Sequence, residues 1–381
     1  MLEQTAKQTG SKKGKALIDG SLLITESLAR AGADVFVGYP ITPSNLLYLY
    51  GSKRFPIALA APDEITTVQW MAGFAAAGKI PVTATSFPGY ALMVESVNMA
   101  YMMELPMVIV LTQRFGPATG TATLGAQGDL LLLQGSISGG YPLPTLCISD
   151  MDDCWSISAQ AVRMAVRLRT PVVLLTSKDG VMTLRSFDAF SLDEIKPVNH
   201  EFYKGDATYR PYEPKDDLVP AFLPVGNHKH RVRITASTHD QNGLLKNATA
   251  EALENTRRLS GKLEKNIGDY TFYDLDEQED AETLIVSYGI TAQAAREAKT
   301  ILRRQGKKVS LLVMKTIFPV PPVYWSIFQR YKRLVIAEEN LHGSLRQALF
   351  GLAERPDVAK VNVIGRAVTP EEIAGEVNNG G

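Results

Sequence analysis

Residues 34–45, DVFVGYPITPSN, decide how this chain is read. Residues 34–38 (DVFVG) make a short apolar strand. Tyr39-Pro40-Ile41-Thr42-Pro43 follows, and two prolines so close together fit neither a helix nor a central strand. Upstream, residues 17–31 (LIDGSLLITESLARA) read as an amphipathic helix with Gly32 at its C-cap. Downstream, 57–60 (IALA) is a second strand, and Pro62-Asp63-Glu64 opens a helix that ends near Gly78, with the proline and acids where a first turn favours them. Further strands read at 82–86, 107–112, 145–149 and 171–177, with helices near 91–103 and 153–168. These strands are apolar on both faces, as in a parallel sheet covered by helices. The expected fold is a doubly wound, mostly parallel α/β domain.

The alternation breaks after about 185. Residues 186–280 read as an irregular arm or linker, rich in Pro, Asp and Tyr, with one charged helix at 245–265. From 281 to 381 the alternation resumes: strands at 283–288, 308–314, 333–338 and 360–365, helices at 291–305, near 321–330 and at 343–353. The expected division is therefore 1–185, 186–280 and 281–381. Glu338-Glu339, at the end of a strand, reads as a polar edge, and the last domain as one that serves subunit packing.

Composition narrows the function classes. The 381 residues are 45% hydrophobic and 21% charged, a globular mix. Lys plus Arg (40) balances Asp plus Glu (40), so no bulk field draws the chain to nucleic acid or an anionic membrane. The N-terminal stretch is polar, with Lys12, Lys13 and Lys15, and no apolar run is long enough for a signal peptide or a membrane span. The expected location is the cytoplasm. Cys147 and Cys154 stand seven positions apart and read as small buried residues, too few for a four-thiolate cluster or zinc site.

In open parallel sheets, ligands bind at the carboxyl ends of the strands. The loops there are YPITPSN (39–45), PDE (62–64), FPGY (87–90) and QRFGPATG (113–120). Together they offer one carboxylate, Glu64, one guanidinium, Arg114, and the hydroxyls of Thr42, Ser44, Ser86 and Thr119. Each alone has an ordinary explanation: a helix-start acid, a strand-end charge, a rigid turn. The combination is the candidate pocket. No phosphate cradle accompanies it. Gly128-Asp129 and Gly205-Asp206 lack the following Gly of a magnesium–diphosphate loop, and neither a Walker loop nor a GxGxxG follows a strand.

GYPITPSN (38–45), PDEITTVQWMAGFAAAG (62–78), TATSFPGYALMVESV (83–97), TQRFGPATG (112–120) and AQGDL (126–130) resemble, in order and spacing, the alpha subunit of 2-oxoacid:ferredoxin oxidoreductases. STHDQNGLL (237–245) and RRLSGKLEK (257–265) look like that family's inter-domain segment. KKVSLLVMKTIFPVPP (307–322) and VIAEENLHGSLRQAL (335–349) look like its smaller, transketolase-C-terminal-like domain.

The resemblance implies thiamine diphosphate bound at its pyrimidine end by this chain. Mg2+ with the diphosphate, and a [4Fe–4S] cluster, would lie in a beta subunit, in a heterodimer or a dimer of heterodimers. It implies oxidative decarboxylation of a 2-oxoacid with coenzyme A, giving acyl-CoA, CO2 and reduced ferredoxin. The compact length is similar to the 2-oxoglutarate type. The same chemistry on pyruvate, branched-chain or aryl 2-oxoacids, or a non-redox thiamine-dependent decarboxylase, stays open.

Carried over residue by residue, the resemblance makes Glu64 the partner of the pyrimidine N1′, and Pro40, Ser86, Phe87 and Gly89 the lining of the cofactor pocket. Arg114 would grip the substrate carboxylate, with Thr42 donating its hydroxyl and Tyr39 and Ile41 beside it. Phe87 and Phe115 stand where the family usually has glycine, which would make the substrate pocket narrower or more apolar. A second cation for a distal carboxylate would be Lys53, Arg54 or a residue of the partner.

Overall fold

The computed structural model describes residues 15–188 and 191–380; Lys12 and Lys13 lie outside them. The chain opens with strand β1 (Lys15–Ile18), helix α1 (Gly20–Arg30), β2 (Val35–Gly38), α2 (Asn45–Arg54), β3 (Ile57–Ala60), α3 (Glu64–Ala76), β4 (Pro81–Thr85) and α4 (Phe87–Met102). Strand β5 (Met107–Gln113), α5 (Leu130–Gln134), β6 (Thr145–Cys147), α6 (Met151–Leu168), β7 (Pro171–Ser177), α7 (Lys178–Met182) and β8 (Arg185–Asp188) complete the first half. After a long irregular stretch come α8 (Ala250–Lys265), β9 (Tyr273–Asp276), β10 (Thr283–Tyr288), α9 (Thr291–Arg304), β11 (Val309–Met314) and β12 (Thr316–Phe318). The chain ends with α10 (Pro322–Phe328), β13 (Arg333–Glu338), α11 (Ser344–Phe350), β14 (Val358–Asn362) and α12 (Pro370–Asn379).

The first sheet has seven strands in the order β12-β6-β7-β5-β4-β2-β3. All neighbours are parallel except β12, which runs antiparallel to β6. Strands β4, β5 and β7 are buried along their whole length, which is why they read as continuous apolar runs. Helices α1, α2, α6 and α7 pack among themselves, while α3 and α4 pack on each other, as doubly wound helices do. The second sheet has the order β14-β13-β10-β11-β9, parallel except for β9. Its side chains alternate with period two. Leu284, Val286, Leu312 and Ile336 join the main core. Ile285, Leu311, Val313 and Val335 join a separate cluster with Ala292, Ala295 and Leu302 of α9 and Ile373 of α12.

Several local readings differ from the structure. FPGY (87–90), read as a loop, is the first turn of α4, since Pro88 is tolerated in a helix's first turn. The helix expected from residue 17 starts at 20. Asp19 caps it, accepting from the Leu22 backbone N–H at 2.9 Å, while Lys15–Ile18 pairs antiparallel with Arg185–Asp188. β9 lies within the segment read as an arm yet pairs with β11, and β12 lies beyond residue 281 yet extends the first sheet. Both are short edge strands whose partners lie far away in sequence, which no local pattern announces.

The arm's helix is fastened by charge. Glu104, fully buried, pairs with Arg258 and Lys262 of α8, Nζ of Lys262 standing 2.7 Å from its carboxylate. Burial opposes its ionisation, but the Arg258 and Lys262 charges win and hold this carboxyl far below the ordinary value of 4.5. The stability that Glu104 contributes is therefore complete above that pH and is lost as pH falls below it. Glu104→Gln leaves two buried cations short of a counter-charge and should cost about 3–5 kcal/mol in urea denaturation at pH 7. An unchanged denaturation midpoint would show that the α8 docking does not depend on this cluster.

Candidate functional site

The chain turns round at β2. It leaves β2 through α2 to β3 on one side, and returns to β4 on the other. The carboxyl ends of β2 and β4 thus flank the point where strand order reverses, the place where open α/β sheets bind ligands. The loop at 39–45 is fixed there by Ser44, whose buried hydroxyl donates to the Thr85 carbonyl at 2.7 Å and lies 3.0 Å from Thr112 Oγ1. Strand β5 then delivers Arg114. Its Nη1 donates to the Thr42 carbonyl at 2.7 Å, and its Nε has no partner among the described residues. The YPITP loop therefore aims the guanidinium through a backbone carbonyl. Tyr39 and Pro40 are exposed, and Ile41 and Thr42 half-buried.

Glu64 arrives from the other side. Asp63 caps α3, accepting from Thr66 N–H at 2.6 Å, and so fixes Glu64 as the first helical residue. Glu64 is only 7% exposed. It lies against Gly89 in the first turn of α4. A Cβ there would stand 2.3 Å from Thr85 Oγ1 and 2.7 Å from Glu64 Oε1. Close backbone approach is what this glycine provides. Beside it the Ser86 hydroxyl is buried with no partner among the described residues. Such an orphan costs about 1–3 kcal/mol, a cost that a bound polar group removes. A buried carboxyl, an orphan hydroxyl and a glycine cradle fit the polar edge of a flat heterocycle.

Between the two sheets lies a cavity of about 440 Å3, lined by Phe87, Arg114, Phe115, Asp129, Glu339 and His342 among others. Glu64 and Tyr39 to Thr42 do not line it, so the structure separates the glutamate from the guanidinium's cavity. Lys53 and Arg54 are not in its lining either, and Arg54 is engaged by Glu26 at 2.6 Å. Burial pushes the Asp129 carboxyl up to about 7, against the opposing pull of Arg114. Burial likewise pushes Glu339 up to about 7.

Sequence reasoning missed this seam. In the sequence, Asp129 enters through the incomplete Gly128-Asp129 metal loop and through AQGDL, neither of which gives it a role at the cavity. The reading of Glu338-Glu339 as a polar edge is corrected, because both are buried. Glu338 accepts from the backbone N–H groups of Leu345 and Arg346, at 2.7 and 3.1 Å, and so satisfies the start of α11. Glu339 lines the cavity. The signal available was AEENLHG itself: two acids and an Asn where a strand meets a glycine loop.

Residues 26–258 match the family described as pyruvate flavodoxin/ferredoxin oxidoreductase, thiamine diphosphate-binding. The chain belongs to that family. Residues 281–373 match the pyruvate:ferredoxin oxidoreductase core domain II. The chain is 28% identical to the 2-oxoglutarate synthase subunit KorA of Methanocaldococcus jannaschii, over 93% of this chain and 97% of that one. It is equally similar, 28% over 92% and 93%, to the ketoisovalerate oxidoreductase subunit VorB of Methanothermobacter thermautotrophicus. Among solved structures it resembles the 2-oxoglutarate:ferredoxin oxidoreductase of Magnetococcus marinus, determined with 2-oxoglutarate, coenzyme A and succinyl-CoA bound (TM-score 0.90, 27% identity). That match covers 96% of this chain and 65% of the other. The doubly wound architecture expected from the sequence is thus the architecture of the family.

The matched family is described as thiamine diphosphate-binding, and the buried carboxyl, orphan hydroxyl and glycine turn at Glu64, Ser86 and Gly89 are chemically suited to that cofactor's polar ring edge. Gly89→Ala should lower affinity for that cofactor at least tenfold while leaving the circular dichroism spectrum unchanged, because the new methyl pushes on Thr85 and Glu64. Titration of the apo-complex with thiamine diphosphate checks it, and unaltered affinity would refute the assignment.

Proposed function

We propose that this chain is the pyrimidine-binding alpha subunit of a 2-oxoglutarate:ferredoxin oxidoreductase. In that reading it acts in the cytoplasm with a beta subunit, converting 2-oxoglutarate and coenzyme A to succinyl-CoA and CO2 and reducing ferredoxin. The observation that carries this reading is the arrangement at the switch point: a helix-start glutamate seated on a glycine turn, and a guanidinium aimed by the YPITP loop.

Thiamine diphosphate, when bound, supplies the electron sink that a decarboxylation needs. Glu64, held at the first turn of α3, would hold a proton at the pyrimidine N1′. Ser86, with its unpartnered hydroxyl, Phe87, Pro40 and Gly89 would fix the ring's position. Arg114 would bind the substrate carboxylate, since one amino nitrogen is already committed to Thr42 and the rest of the fork remains for a charge-assisted pair. The Thr42 hydroxyl would donate to the same substrate group, with Tyr39 and Ile41 beside it. Preset geometry of this kind replaces the entropy cost of collecting the groups in solution.

The beta subunit would bring Mg2+ with the diphosphate, and the [4Fe–4S] cluster. Two reasons internal to this chain support the division. It has two cysteines, both buried, fewer than a four-thiolate cluster needs. Tyr39 and Ile65, neighbours of Pro40 and Glu64 in the chain, present large apolar side chains to the exterior (38% and 42% exposed), as a seat for a partner would. No helix of the described residues is long and apolar enough to cross a membrane.

A second substrate reading, a branched-chain or other apolar 2-oxoacid, rests on Phe87, Phe115, Leu341 and Ile364 in the cavity wall. Viologen reduction by the purified two-subunit complex, with 2-oxoglutarate, pyruvate, 2-oxoisovalerate and phenylpyruvate in turn, separates the two. The highest kcat/KM is expected with 2-oxoglutarate, and an equal or higher value for another acid replaces that substrate. In the same assay Glu64→Gln should lower turnover about 100-fold or more. Full turnover by that variant would mean the chain is not the catalytic half-site, and decarboxylation without any electron acceptor would assign a non-redox decarboxylase.

A further inference from the structure

Asp129 is a buried acid whose hydrogen bonding is incomplete among the described residues. It is 3% exposed, lines the inter-domain cavity with Arg114, and its Oδ2 has no hydrogen-bond partner among the described residues. It precedes α5, yet its side chain makes no cap to that helix. Arg114 is near enough for each charge to act on the other, but Arg114 Nε is equally unpartnered. A structural ion pair would have closed this gap. Instead the two complementary groups, joined by no hydrogen bond or ion pair among the described residues, both line a cavity of about 440 Å3, large enough for a small acid.

We propose that Asp129 is a substrate-binding residue that takes up one proton from solvent when a 2-oxoacid carboxylate docks on Arg114, and that it then donates a hydrogen bond, as the neutral acid, to the bound anion. This rests on the reading of Arg114 as the carboxylate-binding residue. The physical reason is linkage. The Arg114 charge is the one influence that favours ionised Asp129 against its burial. A docked anion cancels that charge, so substrate binding and protonation of Asp129 favour each other. The only bond change is the proton's: an O–H bond forms on the carboxyl as a hydronium ion or buffer acid of the solvent gives up its proton, and the substrate's bonds are untouched.

Burial places the free carboxyl near 7, so the linkage falls within the working pH range. The ionisable groups that face it are Arg114 after β5, Tyr288 on β10, and Glu339 and His342 after β13. Burial raises the Tyr288 phenol well above its usual value, so it stays neutral. Glu339 titrates in the same range as Asp129 and must be separated from it by experiment.

The test uses the two-subunit complex, with KM for its preferred 2-oxoacid measured by viologen reduction from pH 5.5 to 9. The wild-type KM should be level at the acid end and rise about tenfold per pH unit above about 8. Calorimetric binding of the same acid at pH 8, in buffers of different ionisation enthalpy, should show uptake approaching one proton. Asp129→Asn keeps a neutral donor of the same shape. It should give a KM that varies less than about threefold over the range, with no proton uptake. Asp129→Ala should raise KM about tenfold even at pH 6, with kcat much less affected.

The pH slope must survive in Glu339→Gln and in His342→Gln. A slope that persists in Asp129→Asn, or that vanishes in Glu339→Gln instead, overturns the proposal. Turnover of 2-oxoacids with a pH-independent wild-type KM overturns this inference alone, whereas a complex that turns over no 2-oxoacid overturns the functional reading with it.

Discussion

One buried amide sets the geometry between the two domains. Gln127 is fully buried, and its polar atoms, side chain and backbone, are satisfied from the second domain. Its Nε2 donates to the Tyr288 carbonyl at 2.9 Å. Its Oε1 accepts from the Glu339 backbone N–H at 2.9 Å and from the Thr291 hydroxyl. Its backbone N–H donates to the Glu339 carbonyl at 2.8 Å, and its carbonyl accepts from Asn340 Nδ2 at 3.0 Å. Gly289, at φ +58°, passes over the amide where a Cβ would stand 3.1 Å from Nε2. In a dry interior each of these groups would be costly to leave unmade, so the set specifies one register between the domains. Two residues further on stands Asp129; opposite stands Glu339. The cavity between them has fixed walls because Gln127 fixes them.

Four buried acids fall into two kinds. Glu104 meets Arg258 and Lys262 and is ionised; Glu338 meets the backbone N–H groups at the start of α11. Both are fully buried, and both are given the donors that burial demands. Asp129 and Glu339 are not. Among the described residues, one oxygen of Asp129 has no partner, and Glu339 accepts only from Val368 N–H, at a long 3.4 Å. The paired acids hold elements in place, whereas the unpaired ones border a cavity. Perturbed, under-satisfied carboxyls concentrate where a ligand completes the network.

The sequence made much of the first domain legible, for a local reason. Strands buried on both faces read as apolar runs, and Asp63, Gly32 and Gly78 mark helix ends by rules that act within one turn. The candidate site residues on the first sheet could be named for the same reason: they follow strands, and the order of the strands gathers their loops at one edge. What could not be read is what depends on distant pairing. β12 joins the first sheet from some 170 residues away, and β9 pairs with β11 from within the arm. Glu338 looks like a surface acid in its own strand and becomes a helix cap only when α11 folds back on it. Gln127 looks like loop polarity until Tyr288, Thr291 and Glu339 surround it.

This dependence gives the second domain a part in the site. The segment Glu339-Asn340-Leu341-His342 closes the cavity that Arg114 opens. Asn340 stands at the centre of that closure. Its Nδ2 reaches Gln127 O and Glu338, and its Oδ1 accepts from Gly343 and Ser344 N–H at 2.7 and 3.1 Å. The N-terminal turn of α11, the Glu338 cap and the cavity wall are therefore one hydrogen-bonded unit, tied through Gln127 to the loop that carries Asp129. Because interiors are close-packed and such networks have few alternative arrangements, a shift of α11 would move the cavity wall with it. In the proposed reading, substrate choice depends on how the far domain seats against the first, as well as on the loops of the first sheet, even though Glu338 and Gln127 line none of the cavity themselves.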